Sequence, residues 1–258
     1  MDVALRAIPA ALIGLAFGSF LTVVVDRVPK KESIVSPRSR CPSCEAEILN
    51  RDNVPVISWL VLRGRCRACH ARIPARYPVL EAGTAALFAG TADAYHQIYV
   101  AGMLCAFCAV MLAVGVIDLE HRIIPNKITY PALPAFAGAI VVGWVVGQDL
   151  DPVRALIGGL AYGGAFLVIA FIVPRGLGMG DVKLTALIGL VTGSLGLRFV
   201  GVAAGAAILI GGIGGIVALL AGRGRKSQVP YGPFLVAGAF VATFWGERIA
   251  AWYLRTIT

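Results

Sequence analysis

Apolar residues in this chain are gathered into long runs separated by short polar segments. A helix needs about 20 mostly apolar residues to cross the hydrocarbon core of a bilayer. Eight runs approach that length, so the pattern predicts eight transmembrane helices. They lie near residues 4–25, 78–92, 98–117, 128–147, 154–173, 183–196, 199–221 and 231–253.

Two of these runs are weaker than the others. The second is short and carries Glu81, and the sixth is short and interrupted by Gly193 and Ser194. Either run is open to interpretation as a partial or tilted segment. Residues 26–77 form the one long polar stretch, between the first two runs. We therefore predict an all-α polytopic membrane protein of about eight transmembrane helices, with a small polar insert between the first two spans.

The composition agrees with a membrane protein. Hydrophobic residues make up 58% of the chain and charged residues only 14%, far less charge than a soluble domain of this length carries. The 31 glycines suit closely packed transmembrane helices.

The distribution of lysine and arginine predicts the orientation. With the N-terminus outside, four inner segments hold 18 of the 23 basic residues, as the positive-inside rule requires. These segments are residues 26–77, 118–127, 174–183 and 223–226. The formal charge of +9 is therefore a topology signal, and we expect no nucleic-acid partner. Because Arg27, Lys30 and Lys31 follow the first run rather than precede it, that run is interpreted as a retained anchor.

The polar insert contains two Cys-x-x-Cys pairs, Cys41 with Cys44 and Cys66 with Cys69, separated by 21 residues. This pattern predicts a tetrahedral four-thiolate zinc site, so we predict that the stretch is a small cytosolic zinc-ribbon-like insert. Four thiolates leave no open position, so the metal is structural. A fold of about 50 residues with few apolar side chains needs such a metal for stability. A redox role for one pair is the alternative. His70 adjoins the last cysteine and is an alternative ligand, but we interpret it as a solvated side chain.

A third Cys-x-x-Cys pair, Cys105 and Cys108, lies inside the third apolar run. We interpret it as helix packing, because cysteine behaves there as a small apolar residue. Gly211 and Gly215 are likewise interpreted as a contact surface between helices rather than a phosphate loop.

Two aspartates lie where apolar runs meet polar loops, Asp118 in Val-Ile-Asp-Leu-Glu and Asp181 in Gly-Met-Gly-Asp-Val-Lys. A carboxylate near hydrocarbon is costly and marks a functional candidate. If the two side chains meet, they hold one proton between them and can perform the chemistry of an aspartyl protease. The alternative is that each is a helix-boundary residue, with Asp181 as an N-cap. Lys183 either pairs with Asp181 or marks the inner interface.

Two other classes of function are also compatible with these residues. In a transporter, Asp118 and Asp181 would bind protons or cations and the insert would regulate. In a membrane-anchored zinc module that only recruits partners, both aspartates would be dispensable.

Several sequence blocks together resemble the bacterial type IV prepilin peptidases, which belong to the wider group of intramembrane aspartyl proteases that includes presenilins. The order and spacing of the blocks are kept from the first run to the last. The blocks are Gly18–Arg27, Ser39–Cys44, Trp59 with Gly64–Cys69, Arg76–Glu81, Ile117–Asp118, Gly178–Asp181 and Tyr231–Phe234.

The resemblance implies a bifunctional enzyme of the bacterial inner membrane with its active site facing the cytosol. Such enzymes cleave the basic leader of prepilins and pseudopilins, then N-methylate the new terminus with S-adenosylmethionine. Asp118 and Asp181 match the catalytic aspartates of the family, and the four cysteines of the insert match its zinc ligands. The implied organisation is a first helix over 1–25, a zinc-binding domain over 26–77 with a role in methyl transfer, and a protease domain over 78–258.

This chain departs from the family at Thr22, Asp26 and Asn126, where asparagine, tyrosine and aspartate are usual. None of these positions belongs to the aspartate pair or the cysteine set. No donor-binding motif is recognisable, so the residues that bind S-adenosylmethionine stay unknown. Glu81 is a candidate for the methyl-transfer half, or merely a charge at a helix start. The cysteines argue against the archaeal preflagellin peptidases, which cleave without methylating. The sequence makes no prediction of oligomeric state.

Overall fold

A computed structural model describes residues 3–173, 177–220 and 230–257 of the chain. Nine α-helices and a short 3-10 turn account for most of these residues, and none of them lies in a strand. The helices are Val3–Arg27 (α1), Ile57–Val61 (α2), Arg76–Ala94 (α3), Ile98–His121 (α4), Asn126–Val145 (α5), Pro152–Ile172 (α6), Met179–Leu195 (α7), Leu197–Leu220 (α8) and Gly232–Ile257 (α9). The predicted all-α architecture is confirmed.

Eight of these helices coincide with the eight predicted apolar runs, but the count of eight spans is not confirmed. Six described helices, α1, α4, α5, α6, α8 and α9, are long and apolar enough to cross a membrane. The exceptions are α3 and α7, which correspond to the second and sixth apolar runs, the two weakest predicted spans. The 17-residue helix α7 is short for a bilayer, and Leu184, Leu187, Ile188 and Val191 along it are fully buried. Neighbouring helices, rather than lipid, therefore surround much of α7.

The chain divides into two compact units, Met1–Ala94 and Tyr95–Thr258. In the first unit, α1 packs closely along α3. A Cβ atom on Gly18 would lie 2.6 Å from the Cα atom of Glu81, and one on Gly14 would lie 2.7 Å from that of Ala85. These two helices therefore approach each other at a distance that only glycine permits.

The second unit is built around α4 and α7. Its core includes Phe107, Met111 and Val114 of α4 with Leu235 of α9, all almost completely buried. Helices α6 and α7 cross so closely at Gly158 and Gly189 that a Cβ atom on either would overlap the carbonyl oxygen of the other. This crossing fixes α6 and α7 against each other.

The second unit contains the cysteines and glycines that were predicted to pack between helices. Cys108 is fully buried on α4, in keeping with its interpretation as a packing residue. The predicted contact surface of Gly211 and Gly215 is only half right. A Cβ atom on Gly211 would lie 3.1 Å from the ring of Tyr231, whereas one on Gly215 would meet none of the described residues within 4 Å. Gly214 instead faces the ring of Phe234.

The predicted orientation stays a prediction. Four of the basic residues on which it depends, Arg175, Arg223, Arg225 and Lys226, lie outside the described residues.

Candidate metal centre and aspartate pair

The two cysteine pairs of the insert adopt the same backbone turn. In each pair the first cysteine N–H donates to the carbonyl five residues later, Cys41 to Ala46 at 3.0 Å and Cys66 to Ala71 at 2.9 Å. The residue four places after that cysteine is left-handed in both turns, with φ 58° at Glu45 and 57° at His70. Each turn therefore presents its two thiols on one side, as a zinc knuckle does.

The four thiols meet in space. The Sγ atoms of Cys41, Cys44, Cys66 and Cys69 all lie within 4.8 Å of one another, and Cys41 and Cys69 are 3.8 Å apart. Tetrahedral zinc with four Zn–S bonds of ~2.3 Å separates its sulfur atoms by ~3.8 Å. The cluster therefore fits a zinc ion, as the sequence predicts. His70 is exposed and outside the cluster, consistent with a solvated side chain.

The electrostatics of the cluster also favour a cation. Backbone N–H groups of Ser43 and Cys44 lower the pKa of the Cys41 thiol to about 6. The backbone N–H of Ala46 acts in the same direction on Cys44, but the Cys69 thiol and the other cysteines outweigh it and raise that pKa to about 12. Four thiolates cannot be held so close together unless a bound cation offsets their mutual repulsion.

The insert has almost no apolar core. Between residues 26 and 79, only Cys41, Ser58 and Gly64 are buried. Polar contacts hold the loops instead. Arg67 forms a two-point ion pair with Asp52, and the indole N–H of Trp59 donates to the carbonyl of Ile73 at 3.1 Å. A domain of this kind depends on a metal for its stability.

Glu81 is a structural anchor within the first unit. Its carboxylate is buried and accepts a 2.7 Å hydrogen bond from the backbone N–H of Val56, a residue held at φ 61°. The hydroxyl of Ser19 on α1 lies near enough to interact with this carboxylate. Glu81 thus connects the insert to helices α1 and α3.

The family departures in this unit also have local partners. Asp26 bonds to the Tyr77 hydroxyl at 2.7 Å and pairs with Arg76, and the Thr22 hydroxyl donates to the Ser19 carbonyl. These side chains join the end of α1 to the start of α3.

Asp118 lies in the last turn of α4 and is buried, with 5% of its surface exposed. Its Oδ2 atom accepts a hydrogen bond from the backbone N–H of Gly232 at 3.1 Å. Gly232 is the first residue of α9, so the carboxylate meets the positive end of a helix dipole. A Cβ atom on Gly232 would lie 2.5 Å from the same oxygen, and glycine is therefore required for this contact.

Asp181 lies in the first turn of α7. Its Oδ2 atom accepts a hydrogen bond from the backbone N–H of Gly178 at 3.1 Å. The alternative that Asp181 is the N-cap is wrong in detail, because Gly178 occupies that position and Asp181 lies three residues later. Both aspartates therefore accept one backbone N–H from a glycine at the start of a helix.

The two carboxyl groups lie near enough to each other to interact electrostatically. The charge of Asp118 acts on the Asp181 carboxyl, and the charge of Asp181 acts on the phenol of Tyr231, next to Gly232. The two carboxyls share no hydrogen bond in the described part of the chain. The end of α4 and the starts of α7 and α9 thus lie near one another, with Asp118 buried and Asp181 half-buried.

Lys183 does not pair with Asp181. Its amino group donates to the side-chain oxygen of Asn126 at 2.9 Å and lies 4.4 Å from the centre of the Tyr130 ring. Close by, a Cβ atom on Gly180 would lie 2.9 Å from the Cβ atom of Ile124. The loop after Asp118 is thereby held against the start of α7, which fixes the two aspartates relative to each other.

Sequence reasoning assigned no role to Tyr231 and Gly232. Their block, Tyr-Gly-Pro-Phe, was the available signal, since a glycine and a proline at the start of a long apolar run mark a helix N-terminus. Only the tertiary structure places that terminus beside the aspartates, more than 100 residues away from Asp118.

Comparison with known proteins identifies the family. The model of the bacterial peptidase A24 N-terminal domain matches residues 12–95, and that of the type IV leader peptidase family matches residues 105–222. No solved structure matches the chain significantly.

Three curated relatives match along nearly the whole chain, and each is named prepilin leader peptidase/N-methyltransferase. The protein of Bacillus subtilis is 35% identical over 246 residues, covering 95% of this chain and 96% of the relative. That of Burkholderia pseudomallei strain 1026b is 35% identical, covering 92% and 84%. That of Pseudomonas aeruginosa is 30% identical, covering 95% and 92%. The resemblance drawn from the sequence blocks is therefore confirmed, and the chain belongs to the type IV leader peptidase family.

Proposed function

We propose that this protein removes the leader peptide of type IV prepilins and pseudopilins and then N-methylates the new terminus, using S-adenosylmethionine. One observation carries the proteolytic half: Asp118 and Asp181 converge from different helices on the Tyr231–Gly232 turn. Membership of a leader peptidase family supports the substrate class. No observation favours the transporter alternative, because both carboxyls lie at helix ends rather than at mid-helix.

The proposed mechanism is hydrolysis without a covalent intermediate. Two close carboxyl groups cannot both ionise easily, so the pair holds one proton. The ionised member takes a proton from water, and the water oxygen attacks the carbonyl carbon of the scissile peptide. The C–N bond then breaks as the leaving amine takes a proton from the pair. Since each aspartate accepts one backbone N–H, the acid and base roles belong to the pair.

The insert would hold zinc through Cys41, Cys44, Cys66 and Cys69 in a structural role. The ion would crosslink two knuckles that have almost no apolar core of their own. We place this domain and the aspartate pair on the cytosolic face, where a basic leader remains and where the methyl donor is found. The excess of lysine and arginine in the inner segments supports this orientation.

Methyl transfer would follow from the cleavage. A newly released α-amine has a pKa of about 7.7 to 8.0, so a useful fraction is neutral and nucleophilic near neutral pH. The reaction would then depend mainly on positioning rather than on a strong base.

A single incubation tests both activities. Purified protein in detergent is mixed with a prepilin, with and without S-adenosylmethionine, and the product is weighed by intact mass spectrometry. We expect loss of the leader in both samples and a gain of one methyl group only with the donor. An unchanged prepilin mass, or solute uptake by liposomes that contain the protein, would contradict the proposal.

Gly232→Ala is expected to reduce leader cleavage by about 100-fold, since misplacing a catalytic group by ~1 Å costs about that much. The added Cβ atom would lie 2.5 Å from Asp118 Oδ2 and would displace that carboxyl. The measurement is kcat/KM for cleavage. Gly201→Ala on α8 is the matched control, because nothing lies within 4 Å of its Cβ position. Equal activity of the two variants would show that the Gly232 contact is unimportant.

A further inference from the structure

Tyr231 lies near the aspartate pair but has no part in the activation of water proposed for Asp118 and Asp181. It directly precedes Gly232, whose N–H holds Asp118, and its phenol is within electrostatic reach of Asp181. The residue is half-buried. Tyr231 thus places a side-chain hydrogen-bond donor directly before the residue that binds Asp118.

The Tyr231 hydroxyl has no hydrogen-bond partner in the described part of the chain. Other tyrosines of the same unit are satisfied: Tyr95 donates to the carbonyl of Thr243 at 2.8 Å and Tyr99 to that of Ala139 at 2.7 Å. The Tyr231 hydroxyl therefore keeps its donor available for a bound ligand. The Tyr231 hydroxyl makes no hydrogen bond to Asp181 among the described residues but lies within reach of its charge.

The ring of Tyr231 is held on three sides. Its centre lies 5.9 Å from that of Phe166 and 6.1 Å from that of Phe234, and Gly211 leaves space where a Cβ atom would come within 3.1 Å of the ring. These contacts fix the position of the Tyr231 hydroxyl before a substrate binds. A donor fixed in this way stabilises a developing charge without reorganising during the reaction.

The Tyr231 hydroxyl also keeps its proton. Tyr231 precedes the membrane span that starts at Gly232, and burial, followed by the charge of Asp181, raises its pKa above the usual value. The nearby backbone donors, the N–H groups of Gly232 and Gly178, are already bonded to the two aspartates. Attack of water on a peptide places negative charge on the carbonyl oxygen, and a donor in addition to the protonated aspartate would stabilise that charge further.

We propose that Tyr231 is a third catalytic residue, whose hydroxyl donates a hydrogen bond to the scissile carbonyl oxygen as it becomes an oxyanion. No covalent bond to Tyr231 forms, and its proton stays on the phenol. The proposal rests on the proposed function, because it requires Asp118 and Asp181 to activate the water.

Tyr231→Phe tests this role, because it keeps the ring and removes only the hydroxyl. We expect kcat for leader cleavage to fall by about 100-fold or more, as with other oxyanion donors, while KM changes little. A peptide inhibitor with a tetrahedral hydroxyl centre should bind more weakly to the variant by a similar factor, whereas an uncleavable prepilin should bind as before. A merely structural hydroxyl would not produce this split between ground-state and transition-state ligands.

Tyr99→Phe is the matched control. Its hydroxyl makes a structural hydrogen bond at the opposite end of α4 from Asp118, so kcat should stay near that of the wild type. Wild-type kcat in Tyr231→Phe, alongside inactive Asp118→Asn, would overturn the role of Tyr231 and leave the aspartate pair standing. Equal losses of kcat and thermal stability in both tyrosine variants would also overturn it. Full cleavage by Asp118→Asn would instead reject the proposed function itself.

Discussion

Asp118→Asn and Asp181→Asn should each abolish leader removal, lowering the cleavage rate on the order of 10⁴-fold or more, as loss of a central catalytic group does. An amide can neither take a proton from water nor give one to the leaving amine. It still accepts a hydrogen bond, so the contacts from Gly232 and Gly178 can persist and the fold should be kept. The measurement is the intact mass of a prepilin after incubation with each purified variant.

Asp149→Asn is the matched control for these variants. Asp149 lies in the exposed turn between α5 and α6, so the same chemical change there should leave cleavage intact. All three variants should insert in the membrane and contain zinc like the wild type. Prepilin cleavage that persists in either Asp118→Asn or Asp181→Asn would refute the aspartate pair as the catalytic centre.

Cys66→Ser should release zinc and loosen the insert. The other three thiolates would keep an incomplete set of ligands, and the insert has almost no buried apolar side chains to hold it together. We expect the zinc content to fall from about one ion per chain to a small fraction of that. Elemental analysis measures the metal, and limited proteolysis should reveal new cleavage sites between residues 26 and 77.

Cys105→Ser provides the comparison for the zinc variant. Cys105 lies on α4 and is not part of the thiol cluster, so this change should leave the zinc content unaltered. A strong chelator added to the wild type should reproduce the proteolytic pattern of Cys66→Ser. Full metal occupancy in Cys66→Ser, together with an unchanged digest, would argue against the four-thiolate site.

The zinc and aspartate predictions differ in how far the two sites depend on long-range folding. Each knuckle is local: a cysteine, a turn and a second cysteine three residues later orient two thiols with little help from the rest of the chain. The aspartate pair is not local. Its geometry depends on the Gly158–Gly189 crossing, the Lys183–Asn126 bond and the Ile124–Gly180 contact, which join segments far apart in sequence.

Local patterns were sufficient for several features. The positions of eight long helices, the cysteine set and the two aspartates follow from runs of apolar residues, Cys-x-x-Cys spacing and acids at the ends of those runs. These signals are readable because the physical cause and the residues lie in the same short segment. The family was recognisable for the same reason, since its motifs are short and ordered.

Tertiary structure decided the rest. Helix α7 is not only short for a bilayer but also largely buried among other helices, and six rather than eight described helices suit a bilayer by length and composition. Lys183 donates a hydrogen bond to Asn126 rather than pairing with its near neighbour Asp181. The N–H of Gly232 binds Asp118, which is 114 residues away in sequence. Such pairings arise where helices pack side by side. The residues that meet there are far apart in sequence, and no local sequence pattern identifies them as partners.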